Sequence, residues 1–386
     1  MVVLLIELTI RVIISGPNTS GAGVTQSRQW QPAFVKSIKY LTRNPGCFRN
    51  RGSRKSWSYG LMPMTNNQNK FILYLAPLRG LTEYTYRNAF ARHFDGFDAA
   101  VAPFIPTMAA ARFKKVHLKD VLPENNHAMP IIPQIIGNNP ADFIPLAKCL
   151  FDLGYETVNW NLGCPFPMVA KKQRGSGLLP YPQKIESFLD ATIPAIPNRL
   201  SIKARLGRKK TDEILTLLEI FNQYPLDEVI IHPRTGEQMY NGQPDLDMFE
   251  KCLAVSAHTT VYNGDINDLE TFKLFSERFK TVDRWMIGRG ALVNPFLPAI
   301  IKAGNDGYTN KVEIFRVFYD DLFEQYRQVF HGPGHLLDRM KGFWTYFCQS
   351  FKDSRKIKKK IHRTQTLDRY LEIVDQFFEE EAQWVD

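Results

Sequence analysis

The stretch TVNWNLGCPFP, residues 157–167, is an apolar, β-forming run that stops at Gly163, presents Cys164 and is pinned by Pro165 and Pro167. A cysteine packed only for bulk belongs inside an element, whereas one that follows a strand is displayed at the strand's carboxyl end. The same pattern, a short apolar strand ending in a polar residue, recurs along the chain. The other strand candidates are FILYLAP (71–77), AAVAPF (99–104), IIPQIIG (131–137), LSIKARLG (200–207), EVIIHP (228–233), TTVYNGD (259–265) and RWMIGRG (284–290). Helical periodicity lies between most of them, as in ADFIPLAKCLFDLG, QKIESFLDAT, TDEILTLLEIFNQY, DLDMFEKCLAV and DLETFKLFSERF. Asp212 and Asp268 stand where helix caps are useful. Eight alternations of strand and helix predict a (β/α)8 TIM barrel of class α/β. A doubly wound sheet is the runner-up, but no strand here carries a GxGxxG turn.

Beyond residue 305 the strand pattern stops. KVEIFRVFYDDLFEQYRQVF reads as a long amphipathic helix, broken by GPG (332–334) and followed by two more helical stretches. The expected organisation is a basic segment over 1–68, a barrel over 69–305 and a helical domain with its own core over 306–386. The formal net charge is +10, and residues 1–70 account for +9 of it, with ten Lys/Arg against Glu7 alone. The remainder is near neutral, so whole-chain charge says little about nucleic acid and local clusters must carry that argument. Residues 1–61 read as an over-extended start of translation or as disordered chain, with a mitochondrial transit peptide as the alternative. The apolar start MVVLLIELTIRVIIS is interrupted by Glu7 and Arg11 and is too short to span a bilayer. The five cysteines (Cys47, Cys149, Cys164, Cys252, Cys348) are scattered and include no CxxC pair. Neither a disulfide framework nor a cysteine zinc site is expected, and a reducing compartment is.

A barrel works at the carboxyl ends of its strands. Pro77, Gln134, Cys164, Lys203, His232, Asn263, Asp265 and Arg289 all fall there. The bland reading of Lys203 is a residue that snorkels at the rim. Buried, it needs an electron-rich partner; reduced flavin offers one, and Gln134 can bring an amide to the ring's other edge. His232 by itself reads as a structural strand-end histidine, and no second ligand has metal spacing. Gly264, Gly288 and Gly290 with Arg289 suit a phosphate pocket after the seventh and eighth strands. Asp265 reads as a turn or cap residue and a poor phosphate ligand. Cys164 has five possible uses: core filler, disulfide, metal ligand, nucleophile or proton donor. A thiol of ordinary pKa is protonated at neutral pH and can act as a general acid. FKDSRKIKKKIHR (351–363), which contains Lys356 and Lys359, is either a solvated basic face or a phosphate-backbone contact.

Taken in order, LAPLRGLTEYTYR, PQIIG, VNWNLGCP, RGSGLL, IKARLG, IIHPRTGEQMYNG, VYNGDI and MIGRGAL resemble the tRNA-dihydrouridine synthase family over roughly residues 71–380. RMKGFWTYF and the basic run look most like its bacterial C-type subfamily, associated with uridine-16 of the D-loop. The resemblance implies an FMN-binding barrel with a tRNA-binding helical domain, and NADPH as reductant. It makes Cys164 the general acid that protonates C5 of the uracil. It places Pro77 and Leu78 behind the isoalloxazine, Gln134 and Lys203 at its polar edge and His232 nearby. Asn263, Asp265, Gly288 and Arg289 surround the ribityl phosphate, and Asn161 and Arg234 face the base or the RNA. Lys356 and Lys359 belong to the tRNA contact. The sequence departs from the family at Leu78, at Asn159–Trp160, in HPRTG and in FPMVAKKQ. The expected protein is a cytoplasmic monomer that needs no metal and no membrane. The competing functions are a barrel flavoenzyme acting on a small pyrimidine and a tRNA-binding protein without catalysis.

Overall fold

The structure, a computed structural model, describes residues 71–109 and 115–385. The basic amino-terminal segment therefore lies outside the described residues. Eight strand positions form the core of the chain: β1 (Ile72–Leu75), β2 (Ala99–Val101 continuing as Ile105–Pro106), β3 (Ile131–Ile132 continuing as Gln134–Ile136), β4 (Thr157–Leu162), β5 (Arg199–Gly207), β6 (Leu226–Thr235), β7 (Thr260–Asn263) and β8 (Arg284–Ile287). All neighbours pair in parallel, and β8 pairs back to β1 through Ile72–Arg284 to Leu75–Ile287. Both halves of β2 pair with the matching halves of β3 across the interruption at Pro133, which cannot donate to the ladder. The sheet thus closes into an eight-stranded barrel, as the periodicity predicts.

Strand alternation sorts the residues. On β4, Val158, Trp160 and Leu162 belong to the large apolar layer beneath the surrounding helices. Trp160 stacks on Phe188 at 4.0 Å and donates Nε1–H to Gly137 O at 2.9 Å. Asn159 and Asn161 point the other way, into the barrel. The barrel's own apolar plug is small, made of Tyr74, Ala76, Val101, Ile230, Val261 and Met286. Above it the interior turns polar, which is where the chemistry sits.

Helices follow most strands: α1 (Tyr84–His93), α2 (Pro140–Asp152), α3 (Pro182–Thr192), α4 (Glu213–Phe221), α5 (Leu246–Val255), α6 (Leu269–Arg278), then α7 (Arg289–Val293) and α8 (Leu297–Ala303) after β8. The sequence pattern does not single out α1. Asp268 caps α6 as expected, accepting from Thr271 N at 2.7 Å. Asp212 does not cap α4: its backbone is helical rather than extended, so its carboxylate makes no capping bond. Glu213, the first residue of α4, instead gathers the preceding loop, accepting from the amides of Arg208, Lys209 and Lys210 at 2.9–3.1 Å.

Four helices complete the chain: α9 (Lys311–Val329), α10 (Pro333–Phe347), α11 (Ser354–Arg363) and α12 (Leu367–Gln376). Gly332, at φ +106°, ends the link between α9 and α10, and Pro333 opens α10, a position where its missing N–H costs nothing. The expectation of a separate core here is corrected. Tyr86 and Phe94 of the α1 segment pack on Phe318 and Phe343, with Tyr86 and Phe343 stacked at 5.6 Å. Arg92 and His93 meet Asp321 at 3.0 and 2.9 Å. The helices therefore extend the barrel's outer aromatic layer, because α1 presents rings on the face turned away from the sheet.

Candidate active site at the barrel mouth

A cavity of about 210 Å³ opens at the carboxyl ends of the strands. It gathers Pro77, Leu78, Asn161, Cys164, Lys203, His232, Asn263, Asp265, Gly288 and Arg289 from six strand ends and their loops. Arg79, Phe104, Phe166, Arg205, Tyr240 and Tyr346 also line it, and sequence reasoning assigned none of these a role. Tyr346 comes from α10, so the helical region supplies part of the wall.

Cys164 is 7% exposed. Burial raises its thiol pKa, against the smaller lowering influence of the Phe166 amide, Arg205 and Arg79. The group is therefore a thiol, not a thiolate, at neutral pH. Its backbone is held from two sides. Asn161 Oδ1 accepts from Gly163 N at 3.1 Å and Cys164 N at 2.9 Å, and Cys164 O accepts from both the amide and the hydroxyl of Ser176 at 3.0 Å. Arg208 ties Pro165 O to the same hydroxyl at 3.1 and 3.3 Å. Gly175 lies at φ +56°, and a Cβ there would meet the Cys164 backbone and Cβ at 2.8 Å. The RGSG segment is thus a brace for the cysteine turn.

Below this turn runs a chain of amides. Asn161 Nδ2 donates to Gln134 Oε1 at 2.7 Å, Gln134 Nε2 to Asn159 Oδ1 at 2.7 Å, and Asn159 Nδ2 to Ser201 Oγ at 2.8 Å. Asn159, which departs from the family pattern, is the link between Gln134 and β5. Gln134, expected at a cofactor's polar edge, is fully buried and is not part of the cavity wall. Its amide donates to Asn159 and accepts from Asn161, which does line the cavity.

Lys203 Nζ donates to Asn263 Oδ1 at 2.6 Å, and Asn263 Nδ2 donates to Met286 O at 2.9 Å. The ammonium has no carboxylate partner among the described residues. Burial, reinforced by Arg205, lowers its pKa to about 7. His232 is pushed well below its ordinary pKa by burial and by Arg205, Lys203, Arg234 and Arg289. A guanidinium only donates, so at 3.2 Å from Arg234 the His232 Nε2 accepts and the neutral ring carries its proton on Nδ1.

Arg234, expected to face base or RNA, is held inside the protein. It is 1% exposed, outside the cavity wall, and paired with both Asp265 oxygens while it also donates to Asn241 O and Gly242 O. Asp265 sits at φ +42° and bridges Arg234 to Arg289, the latter at 2.6 Å. Burial raises its pKa, but the two guanidiniums outweigh that and hold the carboxyl below its ordinary range. Asp265 is thus the anchor of an arginine pair. Arg289 also lies over the Tyr240 ring at 4.8 Å, with Arg205 at 5.4 Å from the same ring. Gly288 leaves room beside Ala76 and Leu78, where a Cβ would come within 3.3 Å of Ala76. Gly290 has a packing reason instead: a Cβ would strike Ile266 O at 2.1 Å.

Lys356 and Lys359 lie on α11, away from the cavity. Lys356 pairs with Glu381 at 2.9 Å, as Lys360 does at 2.6 Å, whereas Lys358 and Lys359 are exposed without an ion pair among the described residues. Among the described residues no group of three His, Cys, Asp or Glu side chains could hold a metal ion, and no helix is long and apolar enough to cross a membrane.

Similar proteins include several named for tRNA-dihydrouridine synthesis. A probable tRNA-dihydrouridine synthase of Staphylococcus epidermidis is 24% identical over 311 residues, covering 78% of this chain and 92% of that one. The tRNA-dihydrouridine synthase B of Vibrio cholerae is 24% identical over 333 residues, covering 83% and 100%. That of Pasteurella multocida is 26% identical over 244 residues, covering 63% and 72%. None of these three carries the C designation. The solved old yellow enzyme homologue from Zymomonas mobilis overlaps 63% of this chain and 91% of its own, at 12% identity and a TM-score of 0.45, a likeness too weak to carry an argument. Residues 74–383 match the profile of dihydrouridine synthase (Dus), and with that span covering both the barrel mouth and the helices that wall it, the chain belongs to the dihydrouridine synthase family.

Proposed function

We propose that this chain reduces the C5–C6 double bond of a uridine in tRNA, with FMN as resident cofactor and NADPH as its reductant. The reading is carried by two groups that line one cavity: a buried thiol that keeps its proton and a buried ammonium without an anion. The residues present suit FMN. Lys203 supplies a cation where reduced flavin gathers negative charge, and binding such a partner removes the cost of burying that cation alone. Arg289, held by Asp265, and the first-turn amides of α7 suit the phosphate. Pro77 and Leu78 offer an apolar wall, with Gly288 giving clearance.

When bound and reduced, FMN supplies a hydride, which belongs on C6 of the uracil. Cys164 delivers the Sγ proton to C5, so the ring gains two hydrogens and the thiolate left behind regains a proton from water. Arg205 lowers the cost of that transient thiolate. Asn161 and Ser176 fix the turn, so Sγ is held at one place along the cavity wall. His232 stays neutral and shapes the wall without supplying a proton. A duplexed base cannot reach so recessed a thiol, so the uridine enters flipped out of its stack.

The test is spectroscopic. The purified protein should be yellow, bleach with NADPH and recover its colour on unmodified tRNA with formation of dihydrouridine. Recovery with free uracil or orotate but not tRNA would replace this reading with a small-molecule enzyme, and colourless protein that takes up no flavin would end it. Mapping dihydrouridine in tRNA from a strain lacking the gene, with uridine-16 tested first, identifies the target position.

A further inference from the structure

A second cleft of about 540 Å³ lies beside the barrel mouth, between the β1–α1 loop, Phe330 just past α9, and helix α10. It shares only Arg79, Leu81 and Tyr346 with the catalytic cavity. These three residues form the doorway between the two spaces. Arg79 is exposed and has no hydrogen-bond or ion-pair partner among the described residues. Its guanidinium rests over the Phe104 ring at 5.7 Å, which limits its freedom while leaving its five donors open.

The neighbouring Arg339 is the opposite case. It pairs with Glu83 at 3.0 Å, donates to Gly80 O and lies over the Tyr326 and Phe330 rings at 5.3 and 5.4 Å. That latch fixes the loop carrying Arg79 against the helices. Arg234 and Arg289 are likewise taken by Asp265. Arg79 is thus a cation at the mouth that is positioned yet, among the described residues, uncommitted.

We propose that Arg79 binds a phosphodiester flanking the target uridine, gripping the strand at the doorway as the base enters the cavity. The inference rests on the tRNA reading above. A nucleotide that reaches Cys164 from the second cleft passes Arg79, Leu81 and Tyr346 and carries a negative linkage with it. The influence of Arg79 on the Cys164 thiol agrees with this closeness. A planar fork matches phosphate oxygens, and the strand's direction of entry would then be set by one charge-assisted contact. Arg79 is a positioning residue and takes no part in proton transfer.

The test uses the full-length flavoprotein and tRNA carrying a neutral methylphosphonate at either linkage flanking the target uridine. Arg79→Gln should raise KM for unmodified tRNA by about tenfold and change kcat by less than about threefold. One of the two neutralised linkages should raise the wild-type KM by about tenfold and that of Arg79→Gln by less than about twofold. Arg79→Lys should recover part of the loss. Flavin content and NADPH-driven bleaching should match wild type. If both neutral linkages weaken Arg79→Gln as much as wild type, the phosphate contact is refuted. If Arg79→Gln instead slows bleaching by NADPH, the residue serves the reductant's phosphate and the proposal fails. Wild-type protein that forms no dihydrouridine at all overturns the underlying tRNA reading, a result separable from either of these.

Discussion

Replacing Lys203 by methionine should stabilise the flavin-free protein by an amount that depends on pH. Burial, with Arg205 nearby, brings the Lys203 pKa from 10.5 to about 7, and its hydrogen-bond partner Asn263 is neutral. In the unfolded chain the group returns to an ordinary lysine value of about 10.4. Between these values the unfolded state binds the extra proton, so this residue makes stability rise with pH across the window. Below pH 7 both states are charged and the burial cost is present in full. A gap of about 3.5 pH units at about 1.4 kcal/mol each gives about 5 kcal/mol at pH 6, falling to about 2 kcal/mol at pH 9. Methionine fills a similar volume without charge. The advantage of Lys203→Met over wild type should therefore shrink by about 3 kcal/mol between pH 6 and pH 9. The Asn263 carbonyl left without its donor subtracts about 1–3 kcal/mol at both pH values and leaves the slope alone. Urea unfolding of the flavin-free proteins at the two pH values reads the difference. An advantage independent of pH would refute the argument that Lys203 is buried without a countercharge. FMN affinity should move the opposite way, because the wild-type cation gains a partner on binding and the variant does not.

Three further outcomes follow from the geometry. Cys164→Ala should keep flavin and its bleaching by NADPH but lose dihydrouridine formation by at least about a hundredfold, measured in single-turnover assays; unimpaired product would remove the thiol from the acid role. Gly175→Ala should slow product formation at intact flavin content, because its Cβ would press on the Cys164 backbone from a residue at φ +56°; a normal rate would show that the brace does not position Sγ. Lys359→Ala should weaken tRNA binding at low salt more than Lys356→Ala does, since Glu381 already neutralises Lys356. Equal losses would return Lys356 to the contact surface.

The sequence by itself determined the architecture and most members of the site. A β-strand is two-sided, so apolar runs that end in polar residues mark both the barrel and its working end. That local rule placed Cys164, Lys203, His232, Asn263 and Arg289 at strand ends, and the same ends meet at one cavity. Asn159 and Trp160 stood out only as departures from a family pattern, and parity along β4 resolves them: Trp160 faces Phe188 outside, while Asn159 faces Gln134 inside. Tertiary structure alone decided who partners whom. Whether an arginine is free depends on the carboxylates and carbonyls that distant segments bring to it, and for that reason Arg234 is a buried anchor while Arg79 stands open at the doorway. The same holds for Gln134, whose amide is claimed by two asparagines 25 and 27 residues away. It also holds for Lys356, matched by Glu381 from beyond the end of α12. Periodicity records which face a residue takes, but pairing is a property of three-dimensional proximity, and in this protein pairing decides which charges remain available for chemistry.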